Sequence, residues 1–590
     1  MLAQSVGPNV NMVTGTGVGE GDPFLQRQNE PSLAFSSRNP RNVLAVANDY
    51  RLVDIPGLLG SDELGDVWLG IFRSTDGGNT WASTVLPGCP QQIPACQTGP
   101  ASPLRGRQAA ADGTIRPGPA GMFHLSGISF DRGKNALGNV FVASFVDLNN
   151  KENGNPFAYL GATVIDSGTS GQFLDKPWIA TALGTSPRTC TIGGTNGVPA
   201  QTIPAYNVYV VYSKFTGSGN NASSQIMFTR SLDCGATYSN PTKLSESNSL
   251  NQGTALAVNP KTGEVHVAWR RSAGSQETDA IMVTKSSDEG RTFVGPARVA
   301  VSFPPDVFFD QPRITGSALA FRSKAFPTLA VDGDGRVHLA WSQRGLAPAP
   351  YRHNARVVVA TSDDGLSFPA NRQVVADNNA GGGFQFMPSL TFAGGRLMLV
   401  FYDSRDDQTK GELRPLGNGA FEEIRVPVGD PARAFSSQFV SDDRTLTRLR
   451  TIDLRGVQAT PGFVAGFQPS VKLSQYRFGT PARTTSARFE QLDFNPPNLP
   501  MFSRGTASFI GDYVEVTGPV YLPGPNGTWT YNTSDPENAI FLATWADNRN
   551  VRPPKPPAGW ADYTPVASTG GLSLFDPAAQ RPACRVGQEG

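Results

Sequence analysis

Three Asp-x-Arg triplets end apolar stretches of the sequence at similar positions. They are Asp49-Tyr50-Arg51, Asp403-Ser404-Arg405 and Asp547-Asn548-Arg549, and Arg344 ends a fourth such stretch. A guanidinium group binds a carboxylate through two parallel hydrogen bonds, so converging arginines can hold an anionic ligand. Because alternate residues of a strand point to the same side, each Asp can instead pair with the Arg of its own triplet. The triplets are therefore candidates for an anion site or for structural ion pairs.

An octet that occurs four times indicates what positions these residues. It consists of a hydroxyl residue, Asp two positions on, Gly at four, a hydroxyl residue at six and an aromatic residue at seven. The octets start at Ser74, Ser231, Ser286 and Thr361, and their carboxylates are Asp76, Asp233, Asp288 and Asp363. An Asp side chain can accept backbone N–H bonds across a turn, where Gly can adopt positive φ. We expect these Asp residues to form exposed turns and to take no part in catalysis.

Pairs of short apolar segments accompany the octets and predict strands, because they alternate or run apolar in Val, Leu, Trp and Phe. Each repeat combines a segment of the Pro-Ser-Leu-Ala-Phe kind with a longer one that ends in polar residues. The seven pairs are 31–35 and 42–51, 125–130 and 139–147, 176–181 and 207–214, 254–258 and 264–271, 327–331 and 336–344, 388–392 and 396–405, and 509–516 and 539–549.

The octet resembles the Asp box, or BNR repeat, of sialidases and related β-propellers, where it joins the two outer strands of a blade. The resemblance implies an all-β protein whose residues 1–590 form a single propeller domain. Seven segment pairs predict seven blades, with six as the alternative if one pair is an inserted hairpin. Insertions at 87–122 and 406–446 are expected to be long loops on the face opposite the Asp boxes.

The resemblance also implies site residues on that face. Sialidases surround the sugar carboxylate with three arginines and use a Tyr, activated by a Glu, as nucleophile and an Asp as acid/base. The residues of matching type are Arg51, Arg344, Arg405 and Arg549 for substrate binding, and Tyr513, Glu30, Asp49 and Asp403 for catalysis. Asp175, Lys176, Gln252 and Asp512 are expected on the same face. The Phe/Tyr-Arg-Ile-Pro segment of sialidases has no counterpart, since Asn29-Glu30-Pro31 occupies its place.

Composition bears on the possible partners. The net charge is +1, which gives no support for binding to nucleic acid or to an anionic membrane. The sequence has no apolar run near the ~20 residues of a membrane span. The four histidines form no paired zinc motif, and Asp332-Gly-Asp334-Gly favours a turn over a calcium loop because it lacks the downstream Glu. We predict no metal or other cofactor, and a glycan or an extracellular protein as partner on the loop-rich face.

The cysteines and the chain ends give further expectations. Cys190 and Cys234 fall in turns on one face of one predicted blade, which predicts a disulfide in a secreted or cell-surface protein. Cys89 and Cys96 are expected to close a small loop. Residues 9–14 have strand character and are expected to add an outer strand to the last blade, because an open sheet edge leaves backbone groups unpaired. The Pro- and Gly-rich end at Gly590 suggests a longer natural chain.

Three functions are compatible with these features. The first is a secreted exo-glycosidase of sialidase type that acts on an anionic sugar. The second is a non-catalytic extracellular propeller that binds a glycan or a protein. The third is a polysaccharide lyase, whose uronic acid substrates also require arginines and a Tyr or His base. Propellers carry many functions, so the fold does not choose among the three.

Overall fold

The computed structural model describes most of the chain between residues 5 and 546. The described ranges are 5–13, 28–52, 67–89, 101–131, 137–150, 154–169, 171–217, 222–246, 249–272, 279–300, 307–308, 321–349, 351–352, 354–377, 379, 381–406, 409–415, 421–427, 451–475, 492–493, 510–534 and 539–546. Regular structure in these ranges is almost entirely β-strand, with short 3₁₀ turns at Pro119–Gly121, Ala370–Arg372 and Pro525–Gly527. None of it is a helix long and apolar enough to span a membrane.

The first three sheets are antiparallel and four-stranded. The first contains β1 (Gln28–Phe35), β2 (Val43–Asp49), β3 (Trp68–Ser74) and β4 (Ala82–Val85). The second contains β5 (Ala109–Pro117), β6 (Met122–Phe130), β7 (Gly138–Asp147) and β8 (Phe157–Gly168). The third starts at β9 (Gln172–Leu183), is interrupted by the hairpin of β10 (Thr189–Ile192) and β11 (Gln201–Pro204), and continues with β12 (Tyr206–Thr216), β13 (Ser223–Ser231) and β14 (Thr242–Lys243).

Three further sheets follow. The fourth contains β15 (Leu250–Val258), β16 (Val265–Ser272), β17 (Ala280–Ser286) and β18 (Ala297–Ala300), and it is followed by a pair formed by β19 (Val307–Phe308) and β20 (Phe321–Arg322). The fifth contains β21 (Thr328–Val331), β22 (Val337–Gln343), β23 (Arg356–Ser362) and β24 (Gln373–Val375). The sixth contains β25 (Gln385–Ala393), β26 (Arg396–Asp403), β29 (Thr451–Thr460), β30 (Gly466–Phe467), β31 (Val471–Lys472) and β32 (Leu492–Asp493), with the hairpin of β27 (Thr409–Pro415) and β28 (Phe421–Pro427) between β26 and β29.

The chain then forms two short ladders, which pair β33 (Glu515–Thr517) with β36 (Leu542–Thr544), and β34 (Tyr521–Pro523) with β35 (Trp529–Tyr531). The first strands of successive sheets are neighbours around one axis, and β33 lies between β25 and β1. We call the pair β33–β36 the closing ladder.

The fold is a β-propeller, as predicted, and it has six blades, which was the alternative count. The prediction of seven treated 509–516 and 539–549 as a full blade, whereas the described residues there form only the two-stranded closing ladder. Both faces of each blade are covered by its neighbours, so second strands such as β2 are buried along their whole length. We call the face where the first strands begin the mouth face, and the opposite face the turn face.

The second blade differs from its predicted alignment. Segments 125–130 and 139–147 lie in β6 and β7, its second and third strands, and β5 is the innermost strand. Strand β5 therefore lies within the predicted loop 87–122. Its sequence, rich in Ala and interrupted by Asp112-Gly113, has weak strand propensity, and burial on both sides compensates. The other predicted loop, 406–446, contains the hairpin β27–β28.

Asp76 lies in the turn between β3 and β4, on the turn face. Its carboxylate accepts bonds from the backbone N–H groups of Asn79 (3.0 Å) and Thr80 (2.9 Å) and from the Thr80 hydroxyl (2.6 Å). These bonds hold the pKa of Asp76 at about 2, although its slight burial acts in the opposite direction. Asp233 and Asp288 accept equivalent bonds from Thr237 and Thr292.

The fifth blade departs from the predicted octet by one residue. Its turn carboxylate is Asp364, which accepts bonds from the N–H groups of Leu366 and Ser367, both at 2.8 Å. Asp363, the predicted residue, instead pairs with Arg372 at the surface. The turn is one residue shorter here. The N–H of Gly365 donates to the hydroxyl of Ser362, three positions earlier, whereas the N–H of Gly78 donates to the hydroxyl of Ser74, four positions earlier. Alignment on the glycine therefore selected the wrong carboxylate.

The predicted disulfide between Cys190 and Cys234 is confirmed, with a Cα–Cα distance of 6.2 Å. It joins the hairpin β10–β11 to the turn that follows β13, within the third blade. Cys89 is also disulfide-bonded. Its predicted partner, Cys96, lies outside the described residues.

The N-terminal segment 5–13 runs beside the closing ladder without forming a strand. Asn9 donates to the carbonyl of Leu473 (2.8 Å) and accepts from the N–H of Gln475 (2.6 Å), while Met12 and Val13 pack against the first blade. The predicted outer strand over residues 9–14 is therefore replaced by side-chain hydrogen bonds to the sixth blade. Residue 14 lies outside the described ranges.

The hairpin β34–β35 covers the axis at the turn face. The Tyr521 hydroxyl bonds the Thr181 hydroxyl (2.8 Å), and the N–H of Leu183 donates to the Tyr531 hydroxyl (3.0 Å). Asn532 accepts a bond from Gly394 of the sixth blade (2.8 Å). A cavity of about 150 Å³ lies along the inner strands between this hairpin and the mouth face.

The N-terminal attachment is tested with Asn9→Ala. Loss of two hydrogen bonds to the sixth blade is expected to lower the free energy of unfolding by about 1–2 kcal/mol in denaturant titration. Asn11→Ala is the matched control, because the Asn11 carbonyl accepts a bond from Val13 within the same segment. Equal effects of the two substitutions would contradict a role of Asn9 in ring closure.

The assignment of the fifth turn is tested with neighbouring substitutions. Asp364→Ala removes the acceptor of two backbone N–H groups and is expected to cost about 1–2 kcal/mol of unfolding free energy. Asp363→Ala removes a surface ion pair and is expected to cost about 0.5 kcal/mol or less. Thermal unfolding of both variants distinguishes the two assignments. A larger loss of stability in Asp363→Ala than in Asp364→Ala would show that Asp363, as the octet predicts, is the turn carboxylate.

Candidate functional site

The inner strands share an irregularity near the mouth face. The register shifts between Asn29 and Ser32 in β1, with equivalent shifts in the pairings of the second, third, fourth and sixth blades. At this level φ is positive at Glu30 (54°), Asp112 (57°), Lys176 (47°), Gly253 (69°) and Met387 (50°). A bulge redirects its side chain, and strained backbone conformations concentrate at functional sites. Each of these strands thus presents one residue at the same level of the axis.

The residues presented by the first three blades are charged. The Lys176 ammonium lies 2.7 Å from Asp512 Oδ2, next to the closing ladder, and 3.4 Å from Glu30 Oε1. The backbone N–H of Lys176 donates to Asp112 Oδ2 at 3.1 Å. Glu30, Asp112, Lys176 and Asp512 are buried, and Asp175 is half-buried. We call these five residues the axial cluster.

Lys176 keeps its positive charge in this environment. Burial alone would lower its pKa, but the carboxylates of Asp512, Glu30, Asp112 and Asp175 more than reverse that effect and raise it. The ammonium also lies 5.3 Å from the ring centroid of Tyr513 and 5.6 Å from that of Phe326. Four carboxyl groups and two aromatic faces thus surround one cation.

The pKa of Glu30 is raised far above its ordinary value. Burial raises its pKa to about 8, with further contributions from Asp112 and Asp512, against the opposing effect of Lys176. Its Oε1 accepts a bond from the N–H of Asp512 (2.9 Å), and its Oε2 accepts one from the Asn48 amide (2.9 Å). A side-chain hydrogen bond with the Asp112 carboxyl group also raises the pKa of Glu30.

Asp112 connects Glu30 to a carboxylate nearer the solvent. Burial raises the pKa of Asp112, and its side-chain hydrogen bond with Asp175 raises it further, while Lys176 lowers it. Asp175 accepts a bond from the Gln252 amide at 2.7 Å, and both residues are half-buried. A series of hydrogen-bonded carboxyl groups therefore runs from buried Glu30 through Asp112 to Asp175. Such a series can hold a proton and deliver it toward the mouth face.

Tyr513, the predicted nucleophile, lies against the axial cluster. Its hydroxyl lies 3.3 Å from the carbonyl oxygen of Gly113, to which it donates. Burial raises the pKa of Tyr513 well above 10, and the charge of Glu30 raises it further. Burial and the neighbouring carboxyl groups thus disfavour a free phenolate at Tyr513. Tyr513 instead covers Lys176 and contacts Trp178 edge to face.

The Asp-x-Arg triplets form internal ion pairs. Asp49 Oδ2 accepts bonds from Arg51 Nε (2.9 Å) and Nη2 (2.6 Å), and both side chains are fully buried. Arg405 binds Asp403 in the same way and also pairs with Asp377. Asp49, Arg51 and Asp403 are buried, Arg405 is half-buried, and each carboxylate is engaged by the Arg of its own triplet. The structural ion pair, which the sequence left open as an alternative to an anion site, is thus present in both triplets.

The other two predicted arginines differ from these. Arg344 is half-buried at the end of β22 on the mouth face and makes no ion pair in the described part of the chain. Burial lowers its pKa. Arg549 lies outside the described residues.

The described residues contain no group of three His, Cys, Asp or Glu side chains that could hold a metal ion. The Asp332–Asp334 segment forms a turn. Asp332 Oδ1 accepts bonds from the N–H groups of Asp334 (3.0 Å) and Arg336 (2.9 Å), and its Oδ2 bonds the His338 ring (3.1 Å).

Sequence reasoning placed Asp175, Lys176 and Asp512 on the mouth face but did not bring them together, and it placed Asp112 in a loop. A repeated signal was nevertheless present. The axial residue precedes a Pro in Glu30-Pro31, Lys176-Pro177, Phe326-Pro327 and Met387-Pro388. Aligning the repeats on that Pro identifies the axial residue in four of the six blades, whereas Asp112 precedes a Gly and Gly253 precedes a Thr.

Comparison with known proteins gives similarity in solved structures only. No protein family model and no curated protein matches the chain. An α-L-arabinofuranosidase of Fusarium graminearum, bound to an iminosugar inhibitor, has a TM-score of 0.37 at 12% identity, covering 64% of this chain and 88% of the other. A Penicillium chrysogenum α-L-arabinanase, bound to arabinobiose, has a TM-score of 0.34 at 12% identity, covering 64% and 89%. Trypanosoma rangeli sialidase, bound to sialic acid, has a TM-score of 0.31 at 12% identity, covering 69% and 55%.

The contribution of Lys176 to the ring is tested with Lys176→Met. Removal of the ammonium leaves buried carboxyl groups without their cation and is expected to cost about 3–5 kcal/mol of unfolding free energy. The cost should be larger at pH 8 than at pH 5, because the remaining carboxylates repel one another more as they ionise. Denaturant titration at both pH values measures it.

Lys214→Met is the control for this experiment. Lys214 pairs with the partly exposed Asp166 at 3.1 Å, so its removal is expected to cost about 1 kcal/mol or less. A Lys176→Met protein no less stable than this control would show that the axial cluster does not hold the ring together.

Proposed function

We propose that the chain is a secreted glycoside hydrolase whose acid/base group is the carboxyl series of Glu30, Asp112 and Asp175. The supporting observation is that Glu30, whose pKa is raised to about 8 by burial, is linked through Asp112 to Asp175, which faces the mouth. Hydrolysis of a glycosidic bond needs a proton for the leaving oxygen and negative charge near the oxocarbenium-like transition state. The axial cluster supplies both.

Each part of the series has a distinct role in this proposal. Asp175 is the catalytic residue, because it alone of the three is half-exposed. It donates a proton to the leaving-group oxygen as the bond between that oxygen and the anomeric carbon breaks. Water then adds its hydroxyl to the anomeric carbon and returns a proton to the series. Asp112 and Glu30 are positioning residues that hold this proton behind Asp175.

The charge of the site favours a neutral glycoside over an anionic one. The axial cluster has one ammonium and four carboxyl groups, so its acidic groups outnumber its cation. Among the arginines expected to bind a sugar carboxylate, Arg51 and Arg405 are already paired. Arg344 makes no ion pair in the described part of the chain, so it is the predicted arginine that still supports an anionic substrate.

The Cys190–Cys234 disulfide supports secretion, because such bonds persist in oxidising compartments and are rare in the cytosol.

The hydrolase is tested with 4-methylumbelliferyl glycosides of α-L-arabinofuranose, β-D-galactose and N-acetylneuraminic acid. Turnover of a neutral glycoside is expected, with kcat about 10²–10⁴-fold lower in Asp175→Asn because the proton donor is lost. Asp166→Asn is the control. Asp166 is a partly exposed carboxylate of the second blade, and it is bonded to Tyr212 and Lys214 of the third blade.

The pH profile identifies the proton store. In the wild type kcat should fall above about pH 8, as Glu30 loses its proton. The Glu30→Gln substitution should alter this decrease of kcat at high pH. Normal turnover by Asp175→Asn would refute the assignment, and a failure to cleave any of these glycosides would favour the non-catalytic binding propeller.

A further inference from the structure

The half of the axis contributed by the fourth to sixth blades is apolar. Gly253 and Met387 adopt the same positive φ as Glu30, and Phe326 precedes a Pro as Glu30 does. The axial cluster occupies the other half. The floor of the mouth is thus divided into a charged side and an apolar side.

Phe326 forms the centre of the apolar side. Its ring lies directly over Gly253, where an added Cβ would come within 1.9 Å of the ring. The ring is half-buried, and its centroid is 5.6 Å from the Lys176 ammonium. Gly253 therefore leaves the space in which the ring lies, at the level of the carboxyl series.

Gln252 lies between the two sides. Its amide nitrogen donates to Asp175 Oδ2 at 2.7 Å, the one hydrogen bond that its side chain makes within the described ranges. Its carbonyl oxygen can accept a bond from a ligand hydroxyl, and Asp175 can accept another. Gln252 and Asp175 thus directly precede the two residues, Gly253 and Lys176, that lie against the Phe326 ring.

We propose that Phe326, Gln252 and Asp175 form a binding subsite for one neutral sugar ring. The sugar places a C–H face on the negative face of the Phe326 ring and directs hydroxyl groups to Gln252 and Asp175. An anionic sugar would lie beside Asp175, with Asp112 and Asp512 behind it and the Lys176 charge already engaged. The inference rests on the proposed function for the role of Asp175, but binding does not require turnover.

The subsite is tested by saturation-transfer NMR at pH 7 with L-arabinose, D-galactose, D-xylose and N-acetylneuraminic acid. At least one neutral sugar is expected to bind, and more tightly than the acid. Phe326→Leu keeps the volume but removes the aromatic face, and should weaken binding about tenfold. Gly253→Ala should also weaken it by displacing the ring, and Phe326→Tyr should preserve it.

Phe463→Leu is the matched control, because Phe463 is an exposed aromatic residue beside Arg336 and Arg372, away from the mouth. Melting temperatures show whether each variant is folded. Unchanged affinity in folded Phe326→Leu would overturn the subsite, as would preference for N-acetylneuraminic acid or failure of all three neutral sugars to bind.

The two proposals can fail separately. If a neutral sugar binds in a manner that depends on Phe326 while all three glycosides stay uncleaved, the subsite stands and the hydrolase fails. If a neutral glycoside is cleaved with KM unaffected by Phe326→Leu, the hydrolase stands and the subsite fails.

Discussion

The fold depends on a buried ammonium that is satisfied only when the ring is complete. Lys176 belongs to the third blade, Glu30 to the first, Asp112 to the second, and Asp512 precedes the closing ladder. Withdrawing an ammonium from water costs several kcal/mol, and only well-placed opposite charges offset that cost. A partly assembled ring would leave the cation without some of these partners. The electrostatics of the axis therefore favour closure, in addition to the apolar packing between blades.

The same enclosure raises the pKa of Glu30. A carboxyl group in water ionises near pH 4, and here burial, reinforced by the carboxyl groups of Asp112 and Asp512, moves the pKa of Glu30 to about 8. Close packing maintains the enclosure: a Cβ at Gly511 would come 2.7 Å from Glu30 Cγ, and one at Gly113 would come 2.6 Å from Val46. Stability and proton affinity at this site thus have one physical origin. A substitution that admits water to the axis should affect both.

The sequence predicted the propeller because strand alternation and turn chemistry are local properties. The octet identified the turns at Asp76, Asp233 and Asp288, but at the fifth blade a one-residue contraction moved the carboxylate to Asp364. Strand β5 was missed because its weak propensity is overridden by burial on both sides, which depends on the assembled ring. Lys176 and Asp112 were not grouped for the same reason, since their proximity depends on how far each bulge turns its side chain toward the axis. The count of blades was affected by the final segment pair, whose described residues form two strands instead of four.

Charged residues on the mouth face divide into two kinds. At the rim, Asp49 with Arg51 and Asp403 with Arg405 pair two positions apart, and each backbone N–H of the Arg donates to the same Asp. These pairs form within one blade and leave little capacity for a ligand. At the axis, Glu30 and Asp512 are joined across 482 positions of sequence, and Asp175 is held by Gln252 of the next blade. Such groups receive their partners from separate blades, so their protonation and exposure are set by assembly and not by local pairing. For this reason we place the candidate chemistry at the carboxyl groups of the axis. The arginines of the rim are easier to find in the sequence, because they belong to the Asp-x-Arg motif.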